Sequence, residues 1–173
     1  MAEMIYQSPK SIEEAVNLLA ASSGSVNILA GGTDLIIQMQ ANIDEPRVII
    51  DVKKIAEMTQ AELTEDALLL GPSMCCAALT AREDIKALFP GLVESAYLIG
   101  SSQVQGRASV GGNLCNSSPA ADTVPALIAL NAMCQILGPG GERTVKAEDF
   151  VTGVGRNCLA EDEFEDHDRR WRI

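Results

Sequence analysis

The 173-residue sequence holds a single histidine, His167, inside a run of charge near its C-terminal end. A Ser-His or Cys-His nucleophilic pair is therefore not expected, nor the hydrolase chemistry it would serve. Cysteine is equally unpatterned: Cys75, Cys76, Cys115, Cys134 and Cys158 are odd in number and form no Cys-x-x-Cys pair. That spacing supports neither a disulfide framework nor a zinc or iron–sulfur cluster, and Cys75-Cys76 read as small buried residues in a reducing compartment. No apolar stretch approaches the roughly 20 residues of a membrane span. The first residues lack a basic region followed by an apolar one, so they do not read as a secretory signal, and the expected location is the cytoplasm. Basic charge is short too, with 13 Lys and Arg against 24 Asp and Glu. A net charge of −11 and a pI near 4.4 argue against nonspecific nucleic-acid binding. Gly-x-x-x-x-Gly-Lys-Ser/Thr and Gly-x-Gly-x-x-Gly are both absent, which sets aside a P-loop kinase and an ordinary Rossmann dehydrogenase.

What is present suits one globular unit of two lobes, with 47% hydrophobic residues to build its core. Ser11-Ile12-Glu13-Glu14 forms a capping box, in which the Ser11 hydroxyl accepts from the Glu14 N–H and the Glu14 side chain reaches back to the Ser11 N–H. Ile12, Ala15, Val16 and Leu19 follow at helical spacing. A strand over 26–30, a short helix carrying Leu35, Ile36 and Met39, and a strand over 47–51 predict a β-α-β unit with a parallel sheet. Beyond Lys54 a second lobe opens with a hairpin turning at Glu65-Asp66, then helices over 75–88 and 91–100, a long loop over 101–118 and a helix over 119–130. Gly138-Pro139-Gly140-Gly141 joins two strands as a further hairpin. The divisions are residues 1–54, residues 55–164, and a charged, disordered tail over 165–173, in which six carboxylates crowd into 161–168 with Arg169, Arg170 and Arg172 close behind.

Two glycine loops carry the chemistry, Ala30-Gly31-Gly32-Thr33-Asp34 and, eighty residues on, Ser109-Val110-Gly111-Gly112-Asn113. Glycine permits positive φ and lets the backbone approach a phosphate closely, and N–H groups opening a helix attract anions. Either loop alone is more often a tight strand-to-helix turn. Together, with Asn116-Ser117-Ser118-Pro119 and Asp122 behind the second, they point to one extended phosphate-bearing ligand, a dinucleotide, held at both ends. Gly31 and Gly32 supply backbone and Thr33 a hydroxyl, while Asp34 either caps the next helix or accepts from a ribose hydroxyl.

The segments Ile28 to Leu35 and Ala108 to Asp122 resemble the FAD-binding subunit of molybdenum hydroxylases, the group that includes the flavin subunits of xanthine, carbon monoxide and nicotinate dehydrogenases. The resemblance runs from the N-terminal strand to about Phe164. It implies a two-lobed α+β FAD-binding domain, with a small parallel lobe, a larger mixed or antiparallel lobe, and FAD in the cleft between them. It further implies that Leu29, Ala30, Gly31, Gly32, Thr33, Asp34, Leu35 and Ile36 wrap the pyrophosphate. Ser109, Val110, Gly111, Gly112 and Asn113 hold the nucleotide from the opposite lobe, Asp122 takes a ligand hydroxyl, and Ile99 lies near the flavin. The flavin of such a subunit receives electrons from iron–sulfur clusters of a partner and passes them to an acceptor such as NAD⁺. The implied partners are that iron–sulfur subunit and the molybdopterin-containing large subunit, and no residue of this chain is catalytic.

Family members continue into a further domain that helps enclose the flavin, whereas here the charged segment 165–172 follows Phe164, and Glu165 stands where an apolar residue near the flavin is expected. A truncated or frame-shifted end, with weak FAD binding, is the expectation. Valine at Gly32 or Gly111 is expected to abolish nucleotide binding while sparing the fold. The competing reading is a flavin-free docking module derived from such a subunit, and a third is a binder of another phosphate ligand.

Overall fold

Ser11 begins the first helix as its capping position predicts: its hydroxyl accepts from the Glu14 N–H at 3.2 Å. The Glu14 carboxylate reaches one residue further back than expected, to the Lys10 N–H at 2.7 Å. A computed structural model describes residues 4–22, 25–41, 47–160, 162–165 and 171–172. In its first lobe, β1 (Met4–Gln7), α1 (Ile12–Ala21), β2 (Ser25–Leu29), α2 (Leu35–Ala41) and β3 (Arg47–Asp51) follow in turn. The three strands form an all-parallel sheet in the order β1-β3-β2, with Ile5 opposite Val48 and Ile28 opposite Ile50. β3 is central and almost continuously apolar, as a strand paired on both edges and packed by α1 requires.

Two 3-10 turns, Val52–Lys54 and Glu57–Thr59, lead to the antiparallel pair β4 (Ala61–Leu63) and β5 (Leu68–Leu70). Their turn is at Glu65-Asp66 as expected, closed by Thr64, whose N–H donates to Ala67 O and whose hydroxyl accepts from the Ala67 N–H. Helices α3 (Cys76–Thr80), α4 (Glu83–Leu88), α5 (Pro90–Leu98), α6 (Ser102–Gln105), α7 (Val110–Asn116) and α8 (Val124–Ala129) come next. Two expectations are corrected here. The stretch 101–118 is not a long loop, since it holds α6 and α7. The helix expected over 119–130 is confined to Val124–Ala129, with Pro125 in the first turn, where its missing N–H costs nothing.

The chain then forms β6 (Met133–Gly138), β7 (Gly141–Lys146), α9 (Ala147–Phe150), β8 (Val151–Gly153), β9 (Arg156–Asn157), β10 (Phe164–Glu165) and β11 (Trp171–Arg172). Pro139 and Gly140 form the hairpin turn between β6 and β7. The second sheet is antiparallel throughout, in the order β10-β6-β11-β5-β4 with β7 also on β6. Of residues 165–173, expected as a disordered tail, Glu165 and Trp171–Arg172 are strand residues, and 166–170 with 173 lie outside the described residues. The lone His167 falls among the latter.

Each sheet has its own core. Leu68, Leu70, Leu79, Ile85, Leu92 and Phe150 are fully buried in the second lobe. Ala15, Leu19, Ile50, Val52, Ile55 and Met58 form the first. Ile55 and Met58, beyond the expected boundary after residue 54, thus pack into the first lobe. Phe164 joins them, although its backbone pairs with Leu137 of the second sheet. The lobes are therefore fastened through that ring. Among the described residues no helix is long and apolar enough to cross a membrane.

Candidate functional site

β2 ends at Leu29 and the chain turns at Gly32, whose φ of +79° is open to glycine and strained for other residues. A Cβ there would also meet Leu29 Cδ1 at 2.7 Å and Ile36 Cδ1 at 3.1 Å. Gly31 is glycine for a different reason. Its Cβ would lie 2.2 Å from Arg107 O and 3.0 Å from Ala108 Cα, so the two lobes meet on its bare backbone. The carbonyls of this loop are held from both sides: Lys53 Nζ donates to Ala30 O at 2.9 Å and Arg107 Nε to Gly31 O at 3.2 Å. Ile36 N–H closes back on Gly32 O at 3.1 Å. The N–H groups of Gly32, Thr33 and Asp34 have no acceptor among the described residues.

The second loop is built differently. Ser109 caps α7, its Oγ accepting from the Gly112 N–H at 3.2 Å, while the Asn113 N–H returns to Ser109 O at 2.9 Å and the Gly111 N–H donates to Pro72 O at 3.0 Å. These three amides are thus spoken for, contrary to the expectation of bare N–H donors in both loops. A Cβ on Gly111 would lie 2.1 Å from Pro72 Cβ. A valine there disturbs the packing of α7 itself, so the expectation that it would spare the fold is corrected. What this loop offers is side chains. The Ser109 hydroxyl keeps its proton to donate, and Asn113 Oδ1 accepts from Thr123 N–H at 3.1 Å and Thr123 Oγ1 at 2.6 Å, which turns the Asn113 amide nitrogen away from Thr123.

A cavity of about 320 Å³ lies between the lobes, at the lower end of the range for small-molecule sites. Of the residues singled out from the sequence, Ala30, Gly31, Gly32, Thr33, Asp34, Leu35, Ile99, Ser109, Gly112 and Asn113 line it. Leu29, Ile36, Val110, Gly111 and Asp122 do not. Val110 and Gly111 are buried in the first turn of α7, and Asp122 is exposed in the turn before α8. Its neighbour Thr123, fully buried, is the residue that reaches the site, through Asn113.

Ile28, Gln38, Ala108, Cys115, Asn116 and Gly155 complete the lining. Gln38 Nε2 donates to Asn116 Oδ1 at 2.9 Å and spans the two lobes. Gln38 sits one helical turn past Asp34, and Asn116 one turn past Asn113, so helical periodicity from each loop is the signal that points to them. Lys53 and Arg107 lie outside both glycine motifs, and nothing in the residue pattern marks them. The described residues that line the cavity include no Lys or Arg. An anion here would be held by backbone amides, hydroxyls and a carboxamide. Burial, with Cys75 beside it, pushes the Cys76 thiol up to about 12, so it stays protonated and unreactive.

A parallel three-stranded lobe, an antiparallel lobe and a donor-lined cleft between them define an α+β nucleotide-binding domain. Its lineage is specific: the chain belongs to the family described as the FAD binding domain in molybdopterin dehydrogenase, which matches residues 2–164. The nicotinate dehydrogenase FAD-subunit of Eubacterium barkeri is 33% identical over 168 residues, 95% of this chain and 57% of that protein. The xanthine dehydrogenase FAD-binding subunit of Escherichia coli O157:H7 is 33% identical over 92% of this chain and 54% of its own length. Among solved structures, the carbon monoxide dehydrogenase from Hydrogenophaga pseudoflava that lacks the Mo-pyranopterin moiety of its molybdenum cofactor matches with a TM-score of 0.88 at 31% identity. That match covers 94% of this chain and 57% of the other. The chain thus spans somewhat over half the length of these relatives. FAD is the family's cofactor, and the site fits it: three unpartnered amides at a positive-φ glycine suit a pyrophosphate, and Ile28, Leu35 and Ile99 supply apolar wall.

Proposed function

We propose that this chain holds FAD across the cleft as part of a molybdenum hydroxylase. In that assembly it relays electrons from the iron–sulfur clusters of a partner subunit to an acceptor such as NAD⁺, with a molybdopterin-containing subunit completing the complex in the cytoplasm. The observation that carries the reading is the loop over 31–34, which lines a cavity between the lobes and whose Gly32, Thr33 and Asp34 amides have no acceptor among the described residues. When bound, FAD supplies the redox chemistry, and the protein binds and orients it. The Gly32, Thr33 and Asp34 amides and the Thr33 hydroxyl take phosphate oxygens, and the Ser109 hydroxyl and Asn113 amide approach from the second lobe. Asp34, an acceptor at the rim, takes a ribose hydroxyl. Ile99 contributes to the apolar wall.

Absorption spectroscopy of the purified protein and a flavin-fluorescence titration with FAD test this. Weak, saturable binding at one FAD per chain is expected. Colourless protein that refuses reconstitution would support the alternative of a flavin-free docking module.

A further inference from the structure

Lys53 and Arg107 stand outside the cavity lining, yet each donates to a carbonyl of the loop that forms it, and the two come from opposite lobes. In a trans peptide the C=O and the following N–H point in opposite directions, and the described chain has no cis peptide. A cation on Ala30 O therefore turns the Gly31 N–H away from Lys53, and a cation on Gly31 O turns the Gly32 N–H away from Arg107. Lys53 is itself fixed. Its ammonium lies 2.8 Å from Asp51 Oδ1, and the other oxygen of Asp51 accepts from the Tyr6 hydroxyl at 2.5 Å. Asp51 stands opposite Leu29, so a chain of hydrogen bonds runs from β1 through the end of β3 to the loop after β2. Burial works against the Asp51 carboxylate, but the bonds from Lys53 and Tyr6 outweigh it and hold its pKa below the usual value, keeping the charge that anchors Lys53.

We propose that Lys53 and Arg107 are positioning residues that fix the two peptides on which the 31–34 loop begins, aiming the Gly31 and Gly32 amides toward the pyrophosphate before it arrives, and that Arg107 makes this aim depend on the two lobes being docked. The inference rests on the FAD reading above. Pre-aimed dipoles bind a charge without paying to reorganise, so loss of either cation weakens the ligand although neither touches it. Because they act through carbonyls, the salt dependence of binding stays unchanged when they are removed.

Dissociation constants for FAD and for ADP, which shares the pyrophosphate and lacks the flavin, test this on the full chain. Wild type, Lys53→Met, Arg107→Met and Lys53→Arg are compared at two salt concentrations, well below each unfolding midpoint. Lys53→Met and Arg107→Met are expected to weaken FAD and ADP by the same factor, about tenfold, the scale of one hydrogen bond to a charged group. Lys53→Arg, which can still reach Ala30 O, is expected to recover most of the affinity. FAD binding within about twofold of wild type in both folded methionine variants would overturn the proposal. So would a salt slope reduced by about one in either variant, the mark of a direct phosphate contact. Absence of both FAD and ADP binding by the wild type would overturn the FAD reading itself.

Discussion

Replacing Gly111 by alanine puts a methyl carbon 2.1 Å from Pro72 Cβ, 2.7 Å from Pro72 Cα and 2.8 Å from Pro72 O. Carbon atoms pack best at about 3.5–4.0 Å, so the first turn of α7 must back away from Pro72 by more than 1 Å or so. That movement also stretches the 3.0 Å bond from the Gly111 N–H to Pro72 O. Overpacking costs about 1–3 kcal/mol and the weakened hydrogen bond about 0.5–1.5 kcal/mol, offset by about 1 kcal/mol from replacing a helical glycine. The net loss is about 1–3 kcal/mol, which at roughly 2–4 °C per kcal/mol for a chain of this size lowers the unfolding midpoint by about 3–10 °C. Gly112→Ala is the internal control. Its Cβ would meet only Ser109 Oγ, at 3.0 Å, a few tenths of an ångström too close, and any weakening of the Ser109 cap is offset by about 1 kcal/mol from replacing a helical glycine. Thermal unfolding followed by circular dichroism should leave the Gly112 variant within about 2 °C of wild type. FAD titration should show it weakened about fivefold, because Gly112 lines the cavity. A Gly111 variant that melts with the wild type, or two variants with equal midpoints, would refute the division of labour between these neighbours.

Phe164→Ala should cost about 3–5 kcal/mol in urea unfolding, since the ring is buried in the first lobe's core and its loss leaves a cavity. A loss below about 1 kcal/mol would show that the ring does not fasten the lobes. Glu163 makes a two-pronged pair with Arg143, at 2.8 and 2.7 Å, which holds its pKa down to about 2 from an ordinary 4.5. The sign follows from a depressed folded-state value: the stabilisation is complete above pH 4.5 and drains away as pH falls toward 2. With Arg143 partly in solvent, the pair contributes about 1–2 kcal/mol after screening. Glu163→Gln should be less stable than wild type by that amount at pH 7 and converge with it near pH 2, read as urea midpoints. A constant gap across that range would contradict the pair's role.

Where local chemistry decides, the fold was legible in the residues. The Ser11 cap, the β2-α2-β3 unit and both hairpins follow from capping, periodicity and turn residues, and the structure has each of them. The stretch 101–118 was opaque because two glycines inside α7 look like a loop. Their helix survives because Gly111 lies against Pro72, nearly forty residues away, and because Ser109 caps the turn. Both glycine motifs do meet at one cavity, but the reason for each glycine had to come from packing. Gly31 and Gly111 are lobe and helix contacts, and Gly32 is the residue bent to expose amides. Lys53, Arg107 and Thr123 act through other groups, so no motif spells them. Charge along 161–172 hid the strand residues there, because pairing with β5 and β6 is a tertiary choice.

The central claim is that the free amides of the 31–34 loop grip the pyrophosphate of FAD. Amide nuclear magnetic resonance of the isotope-labelled chain, titrated with FAD, tests it most directly. The Gly32, Thr33 and Asp34 amides and the Asn113 side-chain amide are expected to show the largest shifts, while the Gly111 amide, bonded to Pro72, moves little. FAD binding that leaves those three backbone amides unmoved would contradict the account.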